Sequence, residues 1–350
     1  MLTDQPRETR KGEEIDLQAL NHYLSGFPEL GVTKSQKQFP GGYSNLTYLL
    51  ETDRGEVILR RPPFGAAIKS AHDMGREFKV LSLLRPHYDK VPRPLHYCED
   101  PEIIGAPFYL MERLQGIILR PNLLKEIRFS PDQMRALSEA LVDNLVALHA
   151  LDIHSTGLVQ LGKPEGYIGR QVDGWTKRYQ AAQTDAIAEM DEMSGWLATH
   201  QPPDSPPAFL HNDYKYDNVV FREGHLPEIA GVLDWEMSTV GDPWMDLGAT
   251  LAYWCEPGDG QLARVFNLSW LPGNLTRQEV VERYMAKSGR SVASPLFYYV
   301  FGLFKNAVIA QQIYARWKQG HSKDPRFGEL IHVIRDLARR AHHTIQTNQI

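Results

Sequence analysis

The run FLHNDYKYDNVVF, residues 209–221, holds the densest set of groups able to do chemistry. Asp213 and Asn218 lie five residues apart, with Phe209-Leu210 before them and Val219-Val220-Phe221 after. Such flanks read as two short strands with a polar loop pinned between them. Thirteen residues beyond Phe221 comes Asp234, near the end of the strand-like run IAGVLDW, residues 229–235. Magnesium asks a protein for one or two oxygen donors and completes its shell from phosphates and water. Asn218 and Asp234 can supply those oxygens. Asp213 can orient a hydroxyl and take its proton. His211 can fix the loop through a backbone hydrogen bond, and no third ligand stands at zinc spacing from it. The set reads as phosphoryl transfer from a nucleotide, where positioning and charge neutralisation are most of the catalysis.

The elements that must position these groups fall into two kinds. Residues 1–24 read as a polar lead-in and a short first helix carrying Ile15, Leu17 and Leu20. From 25 to 115 the pattern is a small antiparallel sheet with one helix. Phe39, a turn at Gly41-Gly42 and the strand Thr47–Leu50 lead to a tight turn at Asp53-Arg54-Gly55, and Glu56–Arg61 returns as its partner. A helix over Asp73–Leu84, with Asp73 as its cap, carries Glu77 on the side of Leu81. PFYLMERL, residues 107–114, reads as a strand running into a connector. From 116 to 350 the signals are mostly helical. Ser130-Pro131-Asp132-Gln133 opens a helix whose stripe is Met134, Leu137, Leu141, Leu145 and Leu148. Further helices are expected over Trp175–Ala188, from Thr276-Arg-Gln-Glu279, over Pro295–Trp317 and over Pro325–Ile345. The fold class is α+β.

Together these motifs resemble the aminoglycoside phosphotransferase and choline kinase branch of the protein-kinase-like fold. The match is H-x-D-x4-N at His211, Asp213 and Asn218, then D-W-E at Asp234, Trp235 and Glu236, where protein kinases carry Asp-Phe-Gly. Within the branch the chain is most similar to the kinase-like domain found alone in bacteria and fused to some acyl-CoA dehydrogenases. The resemblance covers about residues 25–320. It implies two lobes, a small antiparallel-sheet N-lobe and a larger helical C-lobe, with ATP and Mg2+ between them. Asp213 then matches the catalytic aspartate, and Asn218 and Asp234 the metal ligands. Lys215 is placed to stabilise charge on the transferring phosphoryl. Arg60 in VILRR matches the strand lysine that holds the phosphates, with Arg61 as its rival on the opposite face. Glu77 matches its helix partner. Gly41, Gly42, Ser44 and Asn45 match the phosphate-covering loop, although the full G-x-G-x-x-G is missing. Glu112, Arg113 and Leu114 match the hinge that meets a purine ring. Asp246 in GDPWMDL matches a carboxylate that reaches back to the catalytic-loop backbone. Arg170, Trp175, Tyr179, Glu236 and Trp254 are the acceptor-side candidates.

Composition narrows the classes. The 350 residues are 42% hydrophobic and 23% charged, with 38 basic against 43 acidic side chains and a net charge of -5. That balance speaks against a nucleic-acid partner. Two cysteines, Cys98 and Cys255, exclude a disulfide scaffold or a four-cysteine zinc site. The apolar run Leu296–Phe304, closed by Lys305, is too short to span a bilayer, and the polar N-terminus does not read as a signal peptide. A cytoplasmic protein without a membrane partner is expected. Its partner is expected to be a small molecule bearing a hydroxyl, since the twelve-residue interval from Asp234 to Asp246 leaves little room for a peptide platform. The subgroup resemblance points to a hydroxyacyl compound or hydroxyacyl-CoA. Two other readings stand beside it. One is a non-catalytic nucleotide-binding module, favoured by the arginine at 60 and the irregular glycine loop. The other is an aminoglycoside O-phosphotransferase, which would need a more acidic pocket than the mixed set of Arg170, Lys177 and Arg178 beside Asp173, Asp185 and Glu189 suggests. A homodimer is compatible with the sequence.

Overall fold

The structure is a computed structural model describing residues 5–40, 45–63, 73–125, 128–265, 268–322 and 324–350. In chain order its elements are α1 (Leu17–Leu24), β1 (Thr33–Gln38), β2 (Leu46–Thr52), β3 (Gly55–Arg61), α2 (Met74–Leu84), β4 (Pro94–Cys98), β5 (Phe108–Glu112) and β6 (Ile117–Ile118). Then come α3 (Pro131–His149), α4 (Tyr167–Ala182), α5 (Ala188–Thr199), β7 (Ala208–Leu210), β8 (Val219–Phe221), β9 (Ile229–Val232) and β10 (Thr239–Gly241). The remaining helices are α6 (Pro243–Tyr253), α7 (Arg277–Ser288), α8 (Leu296–Lys318) and α9 (Leu330–Thr347). The chain divides into two compact units, Met1–Ile118 with Val219–Met237, and Leu119–Asn218 with Ser238–Ile350. The sequence suggested a single boundary near residue 115. The hairpin β8–β9 groups instead with the first unit, because β8 pairs with β6 through Ile117↔Phe221 and Ile118↔Val220.

The first unit is built on an antiparallel sheet in the order β1-β2-β3-β5-β4. Its central hairpin runs from Leu46↔Arg61 to Thr52↔Gly55, around Asp53 and Arg54. Tyr48, Leu50, Leu59, Phe108 and Leu110 fill one face, against Leu20 and Leu24 of α1. The edge strand β1, TKSQKQ, was not expected, because its side chains are polar throughout. Polar residues suit an edge, and the Lys37–Glu51 pair at 2.8 Å places charge along it. The Asp73 carboxylate caps α2 by accepting from the Arg76 N–H at 2.8 Å. Val80, Leu81 and Leu84 are buried along α2, and Glu77 is buried with them.

The second unit is mostly helical. Both capping boxes read from the sequence are present, Ser130 with Gln133 on α3 and Thr276 with Glu279 on α7. The helix expected from Trp175 instead starts at Tyr167. Gly169 and Gly174 lower the propensity of that stretch, and burial of Ile168, Val172, Trp175 and Tyr179 on one face overrides it. α5 had no expected counterpart. α9 begins at Leu330, and Pro325–Phe327 forms a separate 3-10 turn before it. Helices α6 and α8 cross where Gly248 and Gly302 face each other. A β-carbon added to Gly302 would collide with the Gly248 carbonyl, and one added to Gly248 with that of Tyr298. Among the described residues no helix is long and apolar enough to cross a membrane.

Candidate active site

In the second unit, residues 211–218 form a loop between β7 and β8 whose backbone is tied down ahead of Asp213. Asp246, in the first turn of α6, is fully buried and accepts the N–H groups of His211 and Asn212, each at 2.7 Å. His149, which closes α3, meets the same carboxylate through Nε2 at 3.1 Å. That tautomer leaves Nδ1 to accept the Tyr284 hydroxyl at 2.8 Å. Burial alone would raise the Asp246 pKa. The hydrogen bonds from His149 and from the His211 N–H oppose burial, and the pKa is lowered. His211 Nδ1 accepts the Asp213 N–H at 3.2 Å, so the histidine fixes the loop through its backbone.

The Asp213 carboxylate is held by two donors. Lys215 Nζ lies 2.8 and 2.7 Å from its two oxygens and sits 4.4 Å above the Tyr253 ring. Asn218 Nδ2 donates to the Asp213 carboxylate at 2.8 Å and to its backbone carbonyl at 2.9 Å. Those bonds fix the amide orientation and give the other side of Asn218 an oxygen suited to a hard cation.

In the first unit, one guanidinium organises the site. Arg60 donates to Glu77 at 2.6 Å, to Asp234 at 2.8 Å and to Glu236 at 3.4 Å. Burial works to lower the Arg60 pKa, but the fields of Glu77 and Asp234 prevail and raise it well above its ordinary value. Burial raises the pKa of Glu77, with Arg60 opposing. Asp234 follows β9 with φ +66°, in the left-handed region where aspartate is among the better tolerated side chains. Three carboxylates share one guanidinium, so the cluster keeps an excess of negative charge that suits a divalent cation. Among the described residues no three His, Cys, Asp or Glu side chains converge as a metal cage. Magnesium needs fewer. Arg61 points the other way, donating to the carbonyls of Pro62 at 3.1 Å and Ile104 at 2.7 Å.

The remaining candidates fall as follows. Gly41, Gly42 and Ser44 lie outside the described residues. Asn45 is buried and donates to Glu236 at 2.9 Å, so Glu236 has Arg60 and Asn45 as its partners. Glu112 ends β5 and lies 3.7 Å from Arg93, Arg113 pairs with Glu56 at 2.6 Å, and Leu114 packs against Gly231. Arg170 donates to the carbonyls of Lys163 and Glu165 ahead of α4. Trp175 is buried, with Arg178 4.6 Å above its ring. Tyr179 packs edge-on against Phe304, and Trp254 is buried against Tyr216 with its indole N–H on the Leu275 carbonyl. Two residues the sequence did not single out are His149 and Lys305. Lys305 was read as the end of an apolar run, yet it is buried midway along α8 with its ammonium on the Asn212 carbonyl. A lone lysine inside LFYYVFGLFKNAVIA is the signal that could have found it.

Residues 35–280 match the profile of the phosphotransferase enzyme family. The chain belongs to that family. Acyl-CoA dehydrogenase family member 11 of Gallus gallus is 34% identical to this phosphotransferase-family chain over 347 residues, covering 95% of it and 44% of that protein. The chain spans less than half the length of the acyl-CoA dehydrogenase relatives it matches. A candidate aminoglycoside phosphotransferase of Ralstonia eutropha JMP134, solved by crystallography, superposes with a TM-score of 0.80 at 28% identity, over 95% of this chain and 99% of that one. The GDP and kanamycin complex of APH(2")-IIIa superposes with a TM-score of 0.65 at 16% identity, over 93% and 99% of the two chains. At that identity the likeness establishes the fold alone, which is the kinase-like fold the motifs implied.

Proposed function

We propose that this chain is a small-molecule kinase that moves the γ-phosphoryl group of ATP to a hydroxyl. The observation that carries the reading is the Asp213 carboxylate, fixed by Lys215 and Asn218 at the end of a loop tied to Asp246. Asp213 orients the acceptor hydroxyl and takes its proton as the oxygen–phosphorus bond forms. The bond to the β,γ-bridging oxygen breaks, and ADP leaves with that electron pair. Lys215 lies where it can offset charge on the transferring group. Arg60, held by Glu77, grips the nucleotide phosphates, and the motif assigns Asn218 and Asp234 to magnesium. When bound, the ion would neutralise phosphate charge.

The preferred acceptor is a hydroxyacyl compound or hydroxyacyl-CoA. The relationship to acyl-CoA dehydrogenase family members supports it, and so do the cations around Trp175. Arg178 lies 4.6 Å and Lys305 5.9 Å from its ring centroid. An aminoglycoside acceptor is the second reading, favoured by the Ralstonia structure. The test is magnesium-dependent transfer of labelled γ-phosphate from ATP or GTP to hydroxyacyl-CoAs, choline, homoserine and kanamycin. Asp213→Asn should lower the rate by about 10²- to 10⁴-fold, the usual contribution of a general base. Tight nucleotide binding with no product from any acceptor would favour a non-catalytic module, and an unaffected Asp213→Asn would remove the base assignment.

A further inference from the structure

Lys305 is 3% exposed, between buried Phe304 and Ala307 of α8. Burying an ammonium costs several kcal/mol unless something is gained by it. A methionine would fill the same space without that cost. Among the described residues no carboxylate pairs with Lys305. Its ammonium donates instead to the backbone carbonyl of Asn212, beside the Trp175 ring.

That carbonyl belongs to the peptide joining Asn212 to Asp213, and the N–H of the same peptide is held by His211 Nδ1 at 3.2 Å. The peptide is therefore gripped at both edges. Asn212 itself has φ +65°, in the left-handed region. Its N–H is on Asp246 at 2.7 Å, and its side chain meets the Tyr167 hydroxyl at 3.3–3.4 Å. Removing the Lys305 donor would take one of these two grips from the peptide and leave it freer to rotate. Such a rotation would turn the Asp213 carboxylate with it.

We propose that Lys305 is a positioning residue for the transfer reaction, holding the Asn212–Asp213 peptide so that the Asp213 carboxylate is presented in one orientation. The proposal rests on Asp213 acting as the base. Burial draws the Lys305 pKa down to about 8, with Asp213 and Asp246 opposing and Lys215 and Arg178 reinforcing the fall. The grip therefore weakens as pH rises through that value.

The test uses Lys305→Met and Lys305→Gln in the full chain. Phosphate release from magnesium–ATP, with water as acceptor, is measured against pH, and both variants are crystallised. Methionine should lower kcat by about ten- to hundred-fold, the scale of a misplaced reacting group, with the KM for ATP little changed. Glutamine keeps an N–H donor and should recover part of that loss. The wild-type kcat should fall as pH passes through about 8, and the glutamine variant should lack that limb. In the methionine crystal Asn212 should leave the left-handed region. A methionine variant with wild-type kcat, or with the Asn212–Asp213 peptide unmoved, overturns the proposal. If the wild-type chain neither releases phosphate nor phosphorylates any acceptor, it is the kinase reading that fails. The peptide geometry of the methionine variant then decides the positioning role by itself.

Discussion

Arg60 shows how much a single side chain can organise and how little of that a sequence states. In VILRR either arginine could face the phosphates, because strand alternation sends neighbours to opposite sides without saying which side is which. The buried Glu77 pairs with Arg60 at 2.6 Å, which supports the proposal of Arg60, while Arg61 donates to the carbonyls of Pro62 and Ile104. Because the pair is buried, removing one partner strands the other. Arg60→Ala should cost about 3–5 kcal/mol of stability, measured by denaturant unfolding. Adding Glu77→Gln to that variant should recover part of the loss, because the stranded charge goes with it. A double-variant loss equal to the sum of the two single-variant losses would show that the pair is not coupled. The proposed catalytic group Asp213 and metal ligand Asn218 stood out in the sequence because phosphoryl transfer fixes both their types and their spacing. Lys305 did not, since within the expected helix it read only as the end of an apolar run, and its burial is set by packing rather than by spacing.

Among the elements, legibility followed the local signal. The helices α2, α3 and α7 announced their starts through Asp73, Ser130 and Thr276, whose side chains satisfy first-turn N–H groups by local chemistry alone. β1 and the first half of α4 were hidden because tertiary packing, not local preference, makes them: one is a polar edge strand, the other part of a glycine-containing helix that buries a single face. The crossing of α6 and α8 was equally silent, although it carries the site. Asp246 lies two residues before Gly248, and Lys305 three after Gly302. Close approach of these glycines sets where both side chains reach the loop. Gly302→Ala should therefore force the helices apart, costing about 1–3 kcal/mol as overpacking does. Phosphate transfer should fall beyond what the loss of folded protein explains. Calorimetry alongside turnover per folded molecule checks this, and an unchanged melting temperature would refute the close contact.

For the whole molecule, the acceptor has to be argued from the site, because a family fixes the reaction more firmly than the substrate. The catalytic loop and the D-W-E segment are compact in sequence, so the family was readable from two short motifs. An acceptor pocket is assembled from separated residues, and no spacing rule joins the proposed ones, Trp175 and Arg178 of α4 and Lys305 of α8. Charge supplies the argument that sequence spacing does not. A polycationic aminoglycoside should be repelled by Arg178 and Lys305 at 4.6 and 5.9 Å from one indole ring, while an anionic hydroxyacyl compound should be drawn to them. The expectation is that a hydroxyacyl-CoA is phosphorylated and kanamycin is not, and that Arg178→Glu raises the acceptor KM with kcat little altered. Arg178 is exposed, so the reversal of charge leaves the fold intact. The KM should also rise with salt in the wild type, because screening weakens attraction at an exposed cation. Kanamycin turning over in place of the thioester, with a KM that Arg178→Glu lowers, would show that the chain serves the cationic substrate.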